Sequence, residues 1–161
     1  MISLKRHRFD EELDRLLGKA EEIIPAEILP NLPAMECAPD VSDWYEFEGD
    51  LWKIGEEIRQ CVGEYGLVFN NDQVRRIIKL CLDKRAKRGR QSFVMLLGRK
   101  VYHEYADEII ALLNDEDVDG QVIDTVCKMQ AGQYVDWIKP FLNHRRTWIR
   151  NAAKKYVKKF Q

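Results

Sequence analysis

Apolar residues along this chain recur at intervals of three and four, the period of one face of an α-helix, and alternation with a period of two is rare. Phe9 to Ile24 reads as a helix with Leu13, Leu16, Leu17, Ala20 and Ile24 on one side. Pro25, Pro30, Pro33 and Pro39 then make residues 25–41 mostly non-helical. Ser42 has the chemistry of an N-cap, and the next helix should run to about Tyr65, where Gly63 and Gly66 bracket its end. On that helix Trp44, Phe47, Leu51, Ile54, Ile58 and Cys61 form an inward stripe. Asp43, Glu46, Asp50 and Glu57 form an acidic one, and Tyr45, Glu48 and Trp52 fall on a third side.

The second half repeats itself. KLCLD at 79–83, IALLN at 110–114 and KPFLN at 139–143 end three helices alike, so that Ile78, Ile109 and Ile138 correspond, as do Leu82, Leu113 and Leu142. A second helix follows in each unit. Gln91, Gln121 and Asn151 align, then Leu96, Val126 and Tyr156, then Leu97, Cys127 and Val157. In the middle unit Tyr105, Ile109, Leu112 and Leu113 form one stripe, and Val118, Val122, Ile123, Val126 and Met129 the next. The acidic turn Asn114–Asp117 supplies caps between them. In the last unit Ile138, Phe141 and Leu142 point inward, with Ile149, Ala153, Tyr156, Val157 and Phe160. No pair of such helices buries its stripes alone, whereas stacked pairs do.

Pro140 in a first helix, Asp117–Val118 in a turn and Arg150-Asn151-Ala152-Ala153 in a second helix are the marks on which residues 72–161 resemble HEAT repeats. The units are short, only one carries the proline, and the first has the basic linker DKRAKRGR in place of an acidic turn. The resemblance implies an all-α fold. It would be a right-handed HEAT-like superhelix of antiparallel helix pairs over 72–161, with a non-repeat helical cap over 1–71, in one domain spanning 1–161.

Composition narrows the class. Hydrophobic residues make up 45% and charged residues 33% of 161, enough for a core and too apolar for a disordered chain. No apolar run approaches the roughly 20 residues that span a bilayer, and the N-terminus has no secretory pattern. Cys37, Cys61, Cys81 and Cys127 are widely spaced and read as reduced core thiols, which with the previous points suggests the cytoplasm. The formal net charge of −1 conceals 17 acids against 7 bases over 1–72 and 10 acids against 19 bases over 73–161. Such a split either makes a dipole that steers partners or neutralises itself across the fold.

Catalytic chemistry finds no anchor. His7, His103 and His144 lack metal-site spacing, no phosphate-binding glycine loop or nucleophile elbow is present, and the acidic run at 115–119 lacks calcium-loop spacing. No catalytic residue, metal or cofactor is expected. The stretches RGRQSFVMLLGRK, DGQVIDTV and WIRNAAKKYV resemble immunity proteins of bacterial polymorphic-toxin and contact-dependent growth-inhibition systems. That resemblance implies a cytoplasmic, non-enzymatic protein that caps the active site of a cognate toxin, a nuclease for choice. A nuclease cleft is basic because it holds phosphates, so acids with aromatic anchors would suit it. Asp40, Asp43, Glu46, Glu48 and Asp50 are the candidates for charge, and Tyr45 and Trp52 for anchors, unless those two rings pack under the proline-rich segment. The alternative is nucleic-acid binding, with Arg88, Arg90, Arg146, Arg150 and Lys154 on phosphates and Trp137, Trp148 and Asp136 as a distant echo of HEAT-like DNA glycosylases. A scaffold lined by an exposed apolar groove is a third reading.

Overall fold

A computed structural model describes residues 2–161. They are mostly helical, with one two-stranded sheet. Packing divides the chain into two compact units, Met1–Phe93 and Val94–Gln161.

In the first unit α1 spans Leu4–Ile23, and the Ser3 hydroxyl caps it by accepting the Arg6 N–H at 3.0 Å. The proline-rich stretch ends in a hairpin of β1 (Ala34–Met35) and β2 (Ala38–Ser42), which periodicity alone did not reveal. The expected cap at Ser42 is corrected: Ser42 closes β2, and Asp43 N–H still bonds back to Pro33 O at 2.9 Å. Helix α2 therefore starts three residues later than an N-cap at Ser42 would have it, spanning Glu46–Tyr65 with Tyr45 as N-cap. Gly66 ends it at φ 63°, a left-handed conformation that glycine adopts without a Cβ penalty. Helix α3 (Asn71–Cys81) opens on a reciprocal cap in which Asn70 and Gln73 exchange bonds of 2.8 and 2.9 Å. The basic linker becomes a 3-10 segment, Lys84–Arg90, with Lys87 at φ 49°, and leads into α4 (Gln91–Leu96).

Phe9, Leu13, Leu16 and Leu17 of α1 are buried with Leu51, Ile54 and Ile58 of α2, and with Val74 and Ile77 of α3. Most of the α1 and α2 stripes thus fall where the period put them, but Ile24 lies just past α1 and Trp44 before α2, and both, like Phe47, are only half-buried. Within the first unit α3 packs on α1, and the 84–90 segment packs on α2.

The second unit contains a 3-10 turn at Lys100–Tyr105, α5 (Ala106–Ile110), α6 (Asp119–Lys128), α7 (Val135–Ile138), a 3-10 turn at Lys139–Asn143 and α8 (Thr147–Phe160). Helix α5 packs on α6, and α8 packs on α6 and α7. Every residue of the two stripes expected for the middle repeat is buried. In the last repeat Ile138, Ile149, Ala153 and Tyr156 are buried, while Phe141, Leu142, Val157 and Phe160 reach only half-burial. The Tyr156 hydroxyl locks the α6–α7 connection by donating to Ala131 O and accepting the Tyr134 N–H at 3.0 Å.

Candidate functional site

Helix α2 has 20 residues and, at about 1.5 Å per residue, runs about 30 Å. Glu46, Asp50, Lys53, Glu57, Gln60 and Glu64 follow one another by four, three, four, three and four positions, which places them on one side of it. All six are exposed, and four are carboxylates. Asp40 on β2 and Asp43 just before the helix are exposed as well. None of these six acids (Asp40, Asp43, Glu46, Asp50, Glu57, Glu64) makes an ion pair among the described residues. At the far end, Glu57 and Glu64 of α2 and Glu12 of α1 wall a groove of about 360 Å³ over Leu16, Cys61 and Tyr65. Glu12 is held below the usual glutamate range by the hydrogen bond from Arg15, so it stays charged there.

Glu48 does not belong to this face, which corrects its assignment as a docking acid. It is wholly buried, because it sits on the side of α2 that meets the 84–90 segment. One carboxylate oxygen accepts the Tyr45 N–H at 2.8 Å, and the other accepts the Arg88 backbone N–H at 3.0 Å and its Nε at 3.3 Å. Arg88 completes the clasp by donating to Ser42 O at 2.7 Å and Asp43 O at 2.6 Å, with its guanidinium 4.9 Å from the Trp44 ring centre. Tyr45 is half-buried, stacks on Phe47 at 5.6 Å and donates its hydroxyl to Pro30 O, so it fastens the proline-rich segment. Trp52 is half-buried one turn after Glu48.

The basic residues expected to hold phosphate are largely engaged in the fold. Arg90 is fully buried and donates to Lys87 O at 2.7 Å and Cys81 O at 3.3 Å. This burial removes Arg90 from any phosphate-binding surface, and the Glu48 clasp does the same for Arg88. Arg76 pairs with Asp14 and Glu21, Arg85 with Asp83, and the Lys87 ammonium bonds to Asn31 at 2.8 Å. In the second unit Arg150 turns onto the carbonyls of His144 and Arg145, at 2.7 and 3.0 Å. Arg146 is half-buried, and Lys154 is exposed. Asp136, Trp137 and Trp148 are exposed too.

Two carboxylate–imidazole pairs occur among the described residues, an exposed one on α1 between His7 and Glu11 at 2.8 Å and a largely buried one in the second unit. His144 Nε2 lies 3.4 Å from Asp119, whose carboxyl burial pushes above the usual range. His144 Nδ1 accepts the Arg146 N–H at 3.0 Å, so both ring nitrogens are occupied and the pair ties the 139–147 turn to α6. Among the described residues no three His, Cys, Asp or Glu side chains converge as metal ligands, and no helix is long and apolar enough to cross a membrane. No protein-family model matches the chain, nor does any curated protein or solved structure.

Asp40, Asp43, Glu46 and Asp50, and Glu57 of the same expected acidic stripe, are exposed; the sequence pattern did not extend the stripe to Glu64 or show the groove with α1. The period of α2 could have extended it; the groove could not be foreseen, because it needs the packing partner.

Proposed function

We propose that this chain is a non-catalytic protein-binding module whose acidic α2 face docks on a basic surface, and that it serves as an immunity protein covering the active-site cleft of a toxin nuclease in the cytoplasm. The observation that carries this reading is the contrast between two sets of carboxylates in one unit. Those that hold the fold together, Glu48, Asp83, Asp14 and Glu21, each face an arginine. Asp40, Asp43, Glu46, Asp50, Glu57 and Glu64 face solvent and form no ion pair among the described residues, with Lys53 the one base in their row. A row of unneutralised acids raises self-repulsion, which an incoming basic cleft relieves while its own phosphate-binding charges are satisfied. Trp52 is the aromatic anchor of this reading. The helix pairs α5–α6 and α7–α8 are taken as HEAT-like repeats that serve as scaffold, with support from their repeat-equivalent buried positions and from the packing of α6 on α8.

Affinity capture of the tagged chain from its native cells, with mass spectrometry and a parallel assay for nucleic acid, tests the proposal. One stoichiometric partner with a basic cleft, lost in an Asp43→Lys/Glu46→Lys double variant, is expected. Capture of an unaltered partner set by that variant would remove the assigned face.

A further inference from the structure

A second surface, in the unit Val94–Gln161, differs from the acidic face in every respect. The α6–α8 pair leaves an open groove of about 400 Å³ lined by Met95, Gln121, Asp124, Trp148, Asn151 and Lys155. Trp148 dominates it. The indole is 47% exposed, yet it is held in place: a Cβ added at Gly120 would lie 2.1, 2.6 and 2.8 Å from three atoms of its six-membered ring. The ring therefore rests directly on the backbone of α6, where any side chain at residue 120 would displace it. The result is a surface indole seated by the far edge of its ring on α6 and otherwise open to solvent.

The polar groups beside that indole are of two kinds. Gln121 and Asn151 bring one amide from each helix, and each amide offers both donor and acceptor. Asp124, the one carboxylate on the lining, is matched by Lys128 at 2.9 Å. The net charge left at the groove is therefore positive. Lys155 lies on the lining itself, and Lys158, three positions further along α8, stands exposed beside it. Helix α8 contains no acidic residue, and neither of these lysines makes an ion pair among the described residues. Trp148, Asn151, Lys155 and Lys158 follow one another by three, four and three positions, so the indole, an amide and two free cations share one side of α8 over about 15 Å.

We infer that this strip binds single-stranded nucleic acid, with one base stacked on Trp148, its edge read by Gln121 and Asn151, and the flanking phosphates held by Lys155 and Lys158. An aromatic platform with unpaired cations is what sequence-tolerant recognition of a single strand requires, because every base has a face to stack. An acidic protein segment would satisfy the lysines but would leave the amides and the flat indole without a matching ring. A duplex keeps its bases stacked inward, where a platform between two helices does not reach them. This site is independent of the acidic-face reading, and either can fail alone.

The test is fluorescence anisotropy of a labelled twelve-nucleotide single strand titrated with the full chain, alongside the same strand in a duplex and a labelled polyglutamate peptide of equal charge. The single strand should bind most tightly. Trp148→Ala should raise its Kd by about five-fold or more. Because that change opens space beside Gly120, Lys155→Gln supplies a second readout on an exposed residue. It should reduce the slope of log K against log salt by about 0.7 without altering thermal stability. Trp137→Ala, which removes the other exposed indole of this unit, should leave Kd unchanged. Equal affinity for polyglutamate, or a Trp148→Ala variant that binds the strand as the parent does, would overturn the inference.

Discussion

At the scale of single residues the molecule separates charges that build from charges that face outward, and the two sets are neighbours in sequence. Glu46 and Glu48 are two positions apart, yet one is exposed and the other wholly buried. Glu48→Ala would leave the Arg88 guanidinium, whose side chain is only 13% exposed, without its counter-charge, and would uncap α2. Removing one partner of such a pair should destabilise the fold by about 3–5 kcal/mol, whereas Glu46→Ala should stay within about 0.5 kcal/mol. Urea titration of both variants checks the contrast. Composition marked Glu48 as one more surface acid, because nothing within the helix announces a partner forty residues away. The capping role was nonetheless legible in principle, since glutamate at the third helical position is the reciprocal half of an N-terminal cap. The thiols divide in a similar way. Burial pushes the Cys81 thiol up to about 12 and raises that of Cys61, while Cys37, read from sequence as a core thiol, is exposed in the hairpin turn. A thiol reagent at neutral pH should therefore modify exposed Cys37 rapidly in the native chain, and buried Cys81 and Cys127 only on denaturation.

At the scale of elements, α2 meets the segment that follows α3 so closely that glycine is required at the crossing. A Cβ on Gly55 would stand 2.0 Å from Ser92 Oγ and 2.7 Å from its Cβ. Alanine improves helix propensity by about 1 kcal/mol, but here overpacking outweighs it, and Gly55→Ala should cost about 1–3 kcal/mol net. Gly63 on the same helix meets nothing within 4 Å, so Gly63→Ala should stabilise by up to about 1 kcal/mol. Thermal unfolding of the two variants should therefore shift in opposite directions. Ser92 Oγ is buried without a hydrogen-bond partner, and Ser92→Ala should be neutral or stabilising by about 1 kcal/mol. Asp83 organises the adjoining turn by accepting from the Arg85 N–H and guanidinium, and those bonds hold its carboxyl below the usual 3.8. A depressed acid contributes stability that is complete above its unfolded value and is lost as pH falls through its folded one. Asp83→Asn should thus lower stability at neutral pH and converge with the parent in acid. Helix existence followed from period almost throughout, whereas the 3-10 turns and the hairpin did not. Short apolar stretches such as 139–143 look helical to any period count, and only their packing decides how tightly they wind.

At the scale of the whole chain, charge reads differently once the units are known. The linear split at residue 72 suggested opposed acidic and basic halves, but the basic run at 75–90 lies in the same unit as the acidic helices. Counted by unit, residues 1–93 carry 18 acids and 15 bases and residues 94–161 carry 9 and 11, so the net charges are −3 and +2. Most of the apparent dipole is cancelled by internal pairs such as Arg76 with Asp14 and Glu21 and Arg88 with Glu48. What remains is local rather than global: a row of unpaired carboxylates on α2 in one unit and unpaired lysines on α8 in the other. This makes kinetics the sharpest test of the docking proposal, because a local charged row acts mainly on encounter while a buried ring acts on residence. Asp43→Lys with Glu46→Lys should slow association with the captured partner about ten-fold or more at low salt, and the difference should shrink as ionic strength rises past about 0.15 M, where screening reaches about 8 Å. Trp52→Ala should leave association nearly unchanged and speed dissociation, as loss of an aromatic anchor does. Surface plasmon resonance resolves the two rates. A double variant that associates as fast as the parent at low salt would place the docking face elsewhere, whatever its effect on equilibrium affinity.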